Sequence, residues 1–338
     1  MPYPVISARV VSISIYISKP KHIPSTMSSY GSAVSPQSYV GFDTITRQIE
    51  RRLLKRGFQF NIMLVGQSGL GKTSLVNTLF ANHVVDSQGR KSPEEPLART
   101  PEITTTSQTI VENDVTLKLT VIDTPGYGDQ VNNEKCWEPL VKYVKDQHSI
   151  YLRKELTAQR EKHFEDTRVH CVLFFVQPTG HGLKPLDIVV LKKLSELANV
   201  VPVIAKSDSL TLPERDMFKR RLQQEFTQHR LHLYPYDSDE HTPEEQQLTE
   251  QVRAILPFAI VGSETMEEID GRVVPVRRNK WGVVNVSNED HCEFPHLKAF
   301  LISTNMQDLI ETTAQVHYEG FRSRQLLALK ESSAPKKK

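Results

Sequence analysis

Two rhythms of apolar and polar positions run along this chain. Asp43–Arg56 (DTITRQIERRLLKR) places Ile45, Ile49 and Leu53 at i, i+4 and i+8, a single stripe of a helix. Gly57 closes it, and Asp43 or Thr44 is the candidate N-cap. The stretches 58–65 (FQFNIMLV), 115–123 (VTLKLTVID), 169–176 (VHCVLFFV) and 200–205 (VVPVIA) are instead short, apolar and largely β-branched. Runs of that kind predict strands buried on both faces. Helical patterns over 137–160 and 186–197 separate the later ones, so the chain predicts an α/β fold with a mostly parallel, doubly wound sheet. Further short strands are expected at 258–262 and 283–286, and helix over 295–324. No sustained heptad follows, so no coiled-coil tail is expected.

Composition narrows the class without naming it. The 338 residues are 24% charged and 38% hydrophobic, enough for a sizeable core. A net charge of +2 gives no global basic field and argues against a nucleic-acid partner. Cys136, Cys171 and Cys292 are far apart, which suits buried thiols in a reducing compartment better than disulfides or zinc ligands. Residues 1–40, rich in Ser, Pro and Tyr, read as a disordered N-terminal tail, with 1–26 either part of the folded unit or foreign to it. Their apolar stretch 5–17 lacks the basic start and cleavage site of a signal peptide. It could be a strand, a mobile tail or the product of an upstream start codon, since Met27 offers a second start. The proline-rich stretch 86–100 reads as mobile.

Chemistry concentrates at strand ends. Gly66-Gln67-Ser68-Gly69-Leu70-Gly71-Lys72-Thr73-Ser74 follows the first buried strand and opens a helix, matching the phosphate-binding G-x-x-x-x-G-K-[ST] loop. Glycines let successive N–H groups curl around one anion, and the helix N-terminus adds partial positive charge. Lys72 would neutralise the β- and γ-phosphates, and the Thr73 hydroxyl would ligate Mg²⁺. Asp123-Thr124-Pro125-Gly126 ends the next buried strand. There Asp123 would hold the Mg²⁺ through water, and the Gly126 N–H would meet the γ-phosphate. Ala205-Lys206-Ser207-Asp208 ends another. Guanine offers N1–H and N2–H₂ donors that one carboxylate accepts together, so Asp208 is the expected base reader, with the Lys206 stem along the ring. Arg51, Arg52, Lys55 and Arg56 crowd one helix end; they suit either a solvated terminus or an anionic surface.

Taken together, Gly66 to Thr73, Asp123-Thr124-Pro125-Gly126-Tyr127-Gly128-Asp129, Gly180-His181-Gly182-Leu183-Lys184-Pro185-Leu186-Asp187 and Ala205-Lys206-Ser207-Asp208 resemble a septin. Trp281-Gly282-Val283-Val284-Asn285-Val286 and His317-Tyr318-Glu319-Gly320-Phe321-Arg322 resemble the septin-specific region beyond the GTPase core. Ser207 departs from the pattern, where septins usually carry Ala. The resemblance implies a P-loop GTPase core over 58–262, a polybasic helix over 41–57 ahead of it, a septin-specific extension over 263–324 and a short tail over 325–338, as in the tail-less subgroup.

The resemblance also implies partners and roles. GTP or GDP with Mg²⁺ would be the cofactors, and other septin subunits would join the chain in hetero-oligomeric rods and filaments. Gly262 and Arg277 would complete the guanine pocket. Trp281 would lie at the nucleotide-side interface, and His181, otherwise a plain loop histidine, would reach towards the neighbouring subunit. Thr100 matches the switch threonine of hydrolysing septins, and with Lys72 forms the candidate catalytic pair. Tyr127 stands where Ras-like enzymes carry a water-orienting glutamine, so hydrolysis is expected to be slow. The Arg51–Arg56 cluster would meet phosphoinositides, and the expected location is the cytoplasmic septin ring at the cortex, bud neck or septum. A monomeric signalling switch and an ATPase are the competing readings; the ATPase requires Asp208 to be irrelevant.

Overall fold

The computed structural model describes residues 43–80, 102–113, 115–128, 133–157, 165–236, 242–269 and 271–333. Helix α1 (Asp43–Arg56) forms as its periodicity predicts. Its first turns fall in an N-terminal unit that ends at Glu50, and the main body runs from Arg51. Ile45, Ile49 and Leu53 are exposed, as are Arg51, Arg52, Lys55 and Arg56.

The main body is built on six strands: β1 (Phe58–Gly66), β2 (Thr104–Glu112), β3 (Val115–Asp123), β4 (Cys171–Val176), β5 (Val200–Ile204) and β6 (Phe258–Ala259). They lie in the order β2-β3-β1-β4-β5-β6, parallel throughout except for antiparallel β2 at the edge. Alternation decides which helix each strand residue meets. Phe60, Ile62 and Leu64 pack with Leu75, Val76 and Leu79 of α2 (Lys72–Leu79). Met63 and Val65 face the other layer, with Leu140 and Val144 of α3 (Glu138–Leu156), Val190 and Leu191 of α4 (Pro185–Ser195) and Phe218 of α5 (Leu212–Gln228). Both faces are covered, which is why these strands read as unbroken apolar runs. Helix α6 (Pro243–Ile255) follows α5, and then β7 (Met266–Ile269), β8 (Arg272–Asn279) and β9 (Gly282–Asn285) form a separate antiparallel sheet.

Three expectations need correction. The strand at 258–262 is only two residues long, because after Ile260 N–H bonds Ile204 O the chain turns away towards β7. The helix expected over 137–160 ends at Leu156, where the Thr157 hydroxyl bonds back to the Arg153 carbonyl. The helix over 295–324 is a series: α7 (Phe294–Lys298), a π-wound stretch Ala299–Thr304, α8 (Met306–Thr312), a second π-wound stretch Thr313–Tyr318 and α9 (Glu319–Ser333). The Thr304 hydroxyl bonds the Ala299 carbonyl five residues back, which favours the wider turn. Helix α9 continues to Ser333, beyond the expected end of the helical region at 324. The tail expected over 1–40 and the mobile stretch 86–100 lie outside the described residues.

Candidate functional site

Strand order reverses around β1, whose neighbours β3 and β4 lead the chain off to opposite sides. Open α/β sheets place their ligand crevice beyond the carboxyl ends of the strands at such a point. The three sequence motifs converge there.

The phosphate-binding loop leaves β1 at Gly66 and enters α2 at Lys72. Gly71, at φ 84°, takes the left-handed turn that a side chain would resist. Lys72 is nearly buried, and its Nζ donates to the carbonyls of Gly66 (3.0 Å) and Gln67 (3.1 Å). The cation therefore folds back over the loop that contains Gln67, Ser68, Gly69 and Leu70. One turn on, Ser74 contributes its carbonyl to the Thr78 hydroxyl. Thr73 Oγ1 donates to Asp123 Oδ2 at 3.1 Å, joining the loop to the end of β3. Asp123 Oδ1 is buried and has no hydrogen-bond partner. Burial lifts the Asp123 carboxyl above its ordinary value, against the opposing pull of the Lys72 charge and the Thr73 hydroxyl. A divalent cation would relieve both the orphaned oxygen and the desolvation, so these residues fit Mg²⁺. Gly126 lies half-buried just beyond.

At the other end of the crevice, β5 delivers Lys206 in a left-handed turn at φ 48°, and Ser207 N–H bonds Ile260 O at 3.1 Å. Asp208 Oδ2 meets Arg277 Nε at 3.2 Å, while its buried Oδ1 has no partner. Gly71, Lys206, Gly262 and Arg277 line one small cavity together with Leu70 and Phe175. A half-satisfied carboxylate paired with Arg277, itself a lining residue of that cavity, has the chemistry to accept from a purine that offers two N–H donors.

The remaining sequence candidates take other positions. His181 is exposed in the loop before α4. Trp281 is 87% exposed in the turn between β8 and β9. Thr100, the switch threonine of the candidate catalytic pair, lies outside the described residues. Cys171 and Cys292 are buried free thiols as expected, but Cys136 is only partly buried. The motif reading missed a set of polar contacts around 177–187: Tyr127 Oη donates to Asp187 Oδ1 at 2.7 Å, and Lys184 Nζ reaches Gln67 Oε1 at 3.1 Å. Their residues stand inside the 66–73, 123–129 and 180–187 signatures, but only the fold shows that 180–187 touches the other two.

A family model described as Septin matches residues 56–335. The chain belongs to the septin family. It is 63% identical over 299 residues to "Cell division control protein 10" of Candida albicans, covering 88% of this chain and 84% of that protein. It is 59% identical over 303 residues to "Septin homolog spn2" of Schizosaccharomyces pombe, with 90% and 92% covered. The crystal structure of a septin GTPase domain from Chlamydomonas reinhardtii superposes with a TM-score of 0.59 at 21% identity, covering 79% of this chain and 99% of that one. This last likeness carries the fold alone. Family membership makes this septin a guanine-nucleotide-binding cytoskeletal subunit that joins other septins in complexes.

Proposed function

We propose that this septin holds GTP or GDP with Mg²⁺ in the crevice between Asp123 and Asp208, and assembles through that nucleotide-bearing face into hetero-oligomeric rods and filaments that serve cell division. The observation that supports it most is the pair of half-satisfied carboxylates, Asp123 and Asp208, at opposite ends of one P-loop crevice. Their chemistry divides the ligand: the Asp123 end, with Lys72 and Thr73, takes the phosphates and metal, and the Asp208 end takes guanine. The metal would supply charge neutralisation at the phosphates; Lys72 would add a fixed cation beside it.

Turnover is slow in this reading. Tyr127 stands where a water-orienting glutamine would be, and its hydroxyl donates to Asp187, which supports slow hydrolysis. Thr100 would do that work with Lys72, at or below roughly 10⁻⁴ s⁻¹, the intrinsic Ras rate. Exposed Trp281 and His181 are the anchors of the subunit contact, since a large solvent-facing aromatic is a typical interface residue. The four exposed cations Arg51, Arg52, Lys55 and Arg56 bind phosphoinositide headgroups. Each contributes about 1 kcal/mol near an anionic leaflet, and filament avidity multiplies the effect. The septin ring at the cortex, bud neck or septum follows as the location.

The test is to release and identify the nucleotide from purified protein and to measure the native mass of the same sample. Near-stoichiometric guanine nucleotide in an oligomer is expected, and Trp281→Ala should yield monomer with faster GDP release. Bound adenine nucleotide, or a nucleotide-free monomer, overturns the reading. Sedimentation with phosphatidylinositol-phosphate liposomes should be lost when the four cations are replaced by Ala; unchanged sedimentation removes the lipid role.

A further inference from the structure

Two stretches far apart in the chain meet beside the guanine end of the crevice. Near the end of α2, Thr78 Oγ1 accepts the Ser263 N–H at 3.1 Å. Its one proton has two carbonyls within reach, Ser74 O at 2.6 Å and Ser263 O at 3.0 Å. Beside it, Asn77 Nδ2 donates to Glu264 Oε1 at 3.2 Å. The helix that opens with Lys72 and Thr73 therefore also grips the segment just after Gly262.

Ser263 passes that grip on to β8. The β7–β8 ladder stops at the pair Met266–Pro275, because the chain before Met266 leads back to α2. Val276, fully buried, meets no further residue of β7. Its N–H donates instead to Thr265 O at 2.8 Å, and its carbonyl accepts from Ser263 Oγ at 2.5 Å. The same Oγ accepts the Thr265 N–H at 3.2 Å, which holds the hydroxyl in place. A side chain thus supplies the donor that the ladder no longer provides, and a buried carbonyl without one would carry its full desolvation cost.

The next residue along β8 is Arg277. Its Nε meets Asp208 Oδ2 at 3.2 Å, and its side chain lines the cavity with Gly262 and Lys206. A carboxylate accepts from guanine N1–H and N2–H₂ together only when its plane contains both donors. Asp208 Oδ1 is buried without a partner, which leaves the Arg277 contact at Oδ2 to set that plane.

We propose that Thr78 and Ser263 are positioning residues for the base reader: through the Val276 carbonyl they hold Arg277 where it orients Asp208, and so set the discrimination of guanine from hypoxanthine. Hypoxanthine keeps N1–H but lacks the N2 amino group, so it forgoes the second bond that the carboxylate plane makes possible. The inference rests on the guanine-nucleotide reading of the crevice and extends it to two residues that act only through Arg277. A plain structural brace between α2 and β8 would stabilise the fold and leave the preference between the two purines unchanged.

The experiment measures binding of GDP and of inosine 5′-diphosphate (IDP) to the full chain, by competition with a fluorescent GDP. Wild type should bind GDP about ten-fold or more tightly than IDP, the scale of one hydrogen bond to a charged group. Ser263→Ala removes only the hydroxyl, and Thr78→Val keeps the shape of the side chain without its oxygen. Each should cut the GDP-to-IDP ratio about three-fold, and Thr78→Ser, which keeps the hydroxyl, should retain most of it. Arg277→Gln should cut the ratio at least as far. Adding Ser263→Ala to Arg277→Gln should then cost no further discrimination, because the route ends at Arg277. If Thr78→Val does not fold, Ser263→Ala and its cycle with Arg277→Gln decide. A ratio that survives Ser263→Ala, an equal weakening of GDP and IDP, or additive losses in the double variant overturns the inference alone. A wild type that binds GDP and IDP equally, or binds no guanine nucleotide, overturns the reading of Asp208 with it.

Discussion

The two ends of the central sheet solve opposite problems with the same residue types. At the carboxyl ends of the strands, Asp123 and Asp208 are each half-satisfied: one oxygen is bonded, the other is buried without a partner. At the amino ends, polar groups close on one another. Asp166 accepts from Arg168 Nη2 (2.6 Å) and Nε (3.0 Å) and pairs with His170 Nε2 (3.2 Å). Asn199 donates to the carbonyls of His170 (2.9 Å) and Leu309 (2.8 Å), and its Oδ1 pairs with His317 Nε2 at 3.1 Å. Buried polar groups that satisfy each other fix a fold, whereas each one left open calls for its own explanation. The amino end holds the C-terminal helices to the sheet; the carboxyl end carries the half-satisfied carboxylates of the proposed nucleotide site.

The largest effect should come from breaking the closed end. Asp166→Ala leaves the Arg168 guanidinium nearly buried, 3.9 Å from the centre of the Tyr151 ring, with no counter-charge. Removing one partner of such a pair costs about 3–5 kcal/mol. Chemical denaturation should show that loss, with guanine-nucleotide affinity within about three-fold of wild type. A loss below about 1 kcal/mol would mean that the network is decoration. Asp208→Asn should behave in reverse. It leaves a guanine donor unpaired, costing about 1.5–3 kcal/mol of binding, roughly ten- to a hundred-fold in Kd, with little change in unfolding. Equal wild-type affinity for ATP and GTP would refute the assignment.

His148 is the exception at the closed end, and pH exposes it. Its ring is fully buried against Tyr318 and Phe321, and neither nitrogen has a partner. Burial, assisted by the Arg168 charge, lowers it from its ordinary value to about 4. His317, also desolvated, is lowered to about 4. Both are neutral when folded and take up protons on unfolding below pH 6.5, so their contribution is present above that value and is lost as pH falls towards 4. From pH 7 to 5 each histidine should cost about 2 kcal/mol. The Asp166 contribution, by contrast, survives to lower pH. Burial alone would raise that carboxyl, but the His170 and Arg168 hydrogen bonds outweigh it and hold it below the usual carboxylate range. His148→Phe should remove roughly half of the stability lost between pH 7 and 5. An unchanged pH slope would show that His148 does not titrate on unfolding.

The sequence made the open end far more legible than the closed one. A P-loop, a D-x-x-G and the Lys206–Asp208 turn are local patterns, because phosphate and guanine each need adjacent residues on one loop. The closed end is assembled from residues far apart in the chain: Asp166, Asn199, Thr313 and His317 meet only in three dimensions. Even the 317–322 signature gave no hint that His317 is buried against Asn199 and Tyr236, or that Tyr318 bonds Glu155. Strand β2 escaped notice for another reason. Its TTTSQTIVE is an edge strand, mostly exposed, with no apolar face for a pattern to find.

The smallest effect tests whether every orphan at the open end awaits a ligand. Ser207 Oγ, beside Asp208, is also buried without a partner. A hydroxyl differs from a carboxylate here, because a neutral group costs far less to strand and can rotate to a weak acceptor. The backbone of Ser207 already does its structural work, with N–H bonded to Ile260 O and its carbonyl accepting the Leu210 N–H at 3.1 Å. Removing the oxygen takes away an unsatisfied polar atom and leaves a methyl group in the same buried place. Ser207→Ala should therefore change stability by no more than about 0.5 kcal/mol, with any shift towards greater stability. It should also leave GDP affinity within about two-fold, a difference below the worth of one hydrogen bond. Calorimetric titration beside Asp208→Asn separates the cases. If Ser207→Ala lost five-fold or more in affinity, the hydroxyl would have to meet the nucleotide, and the half-satisfied carboxylates would not be the whole of the open end.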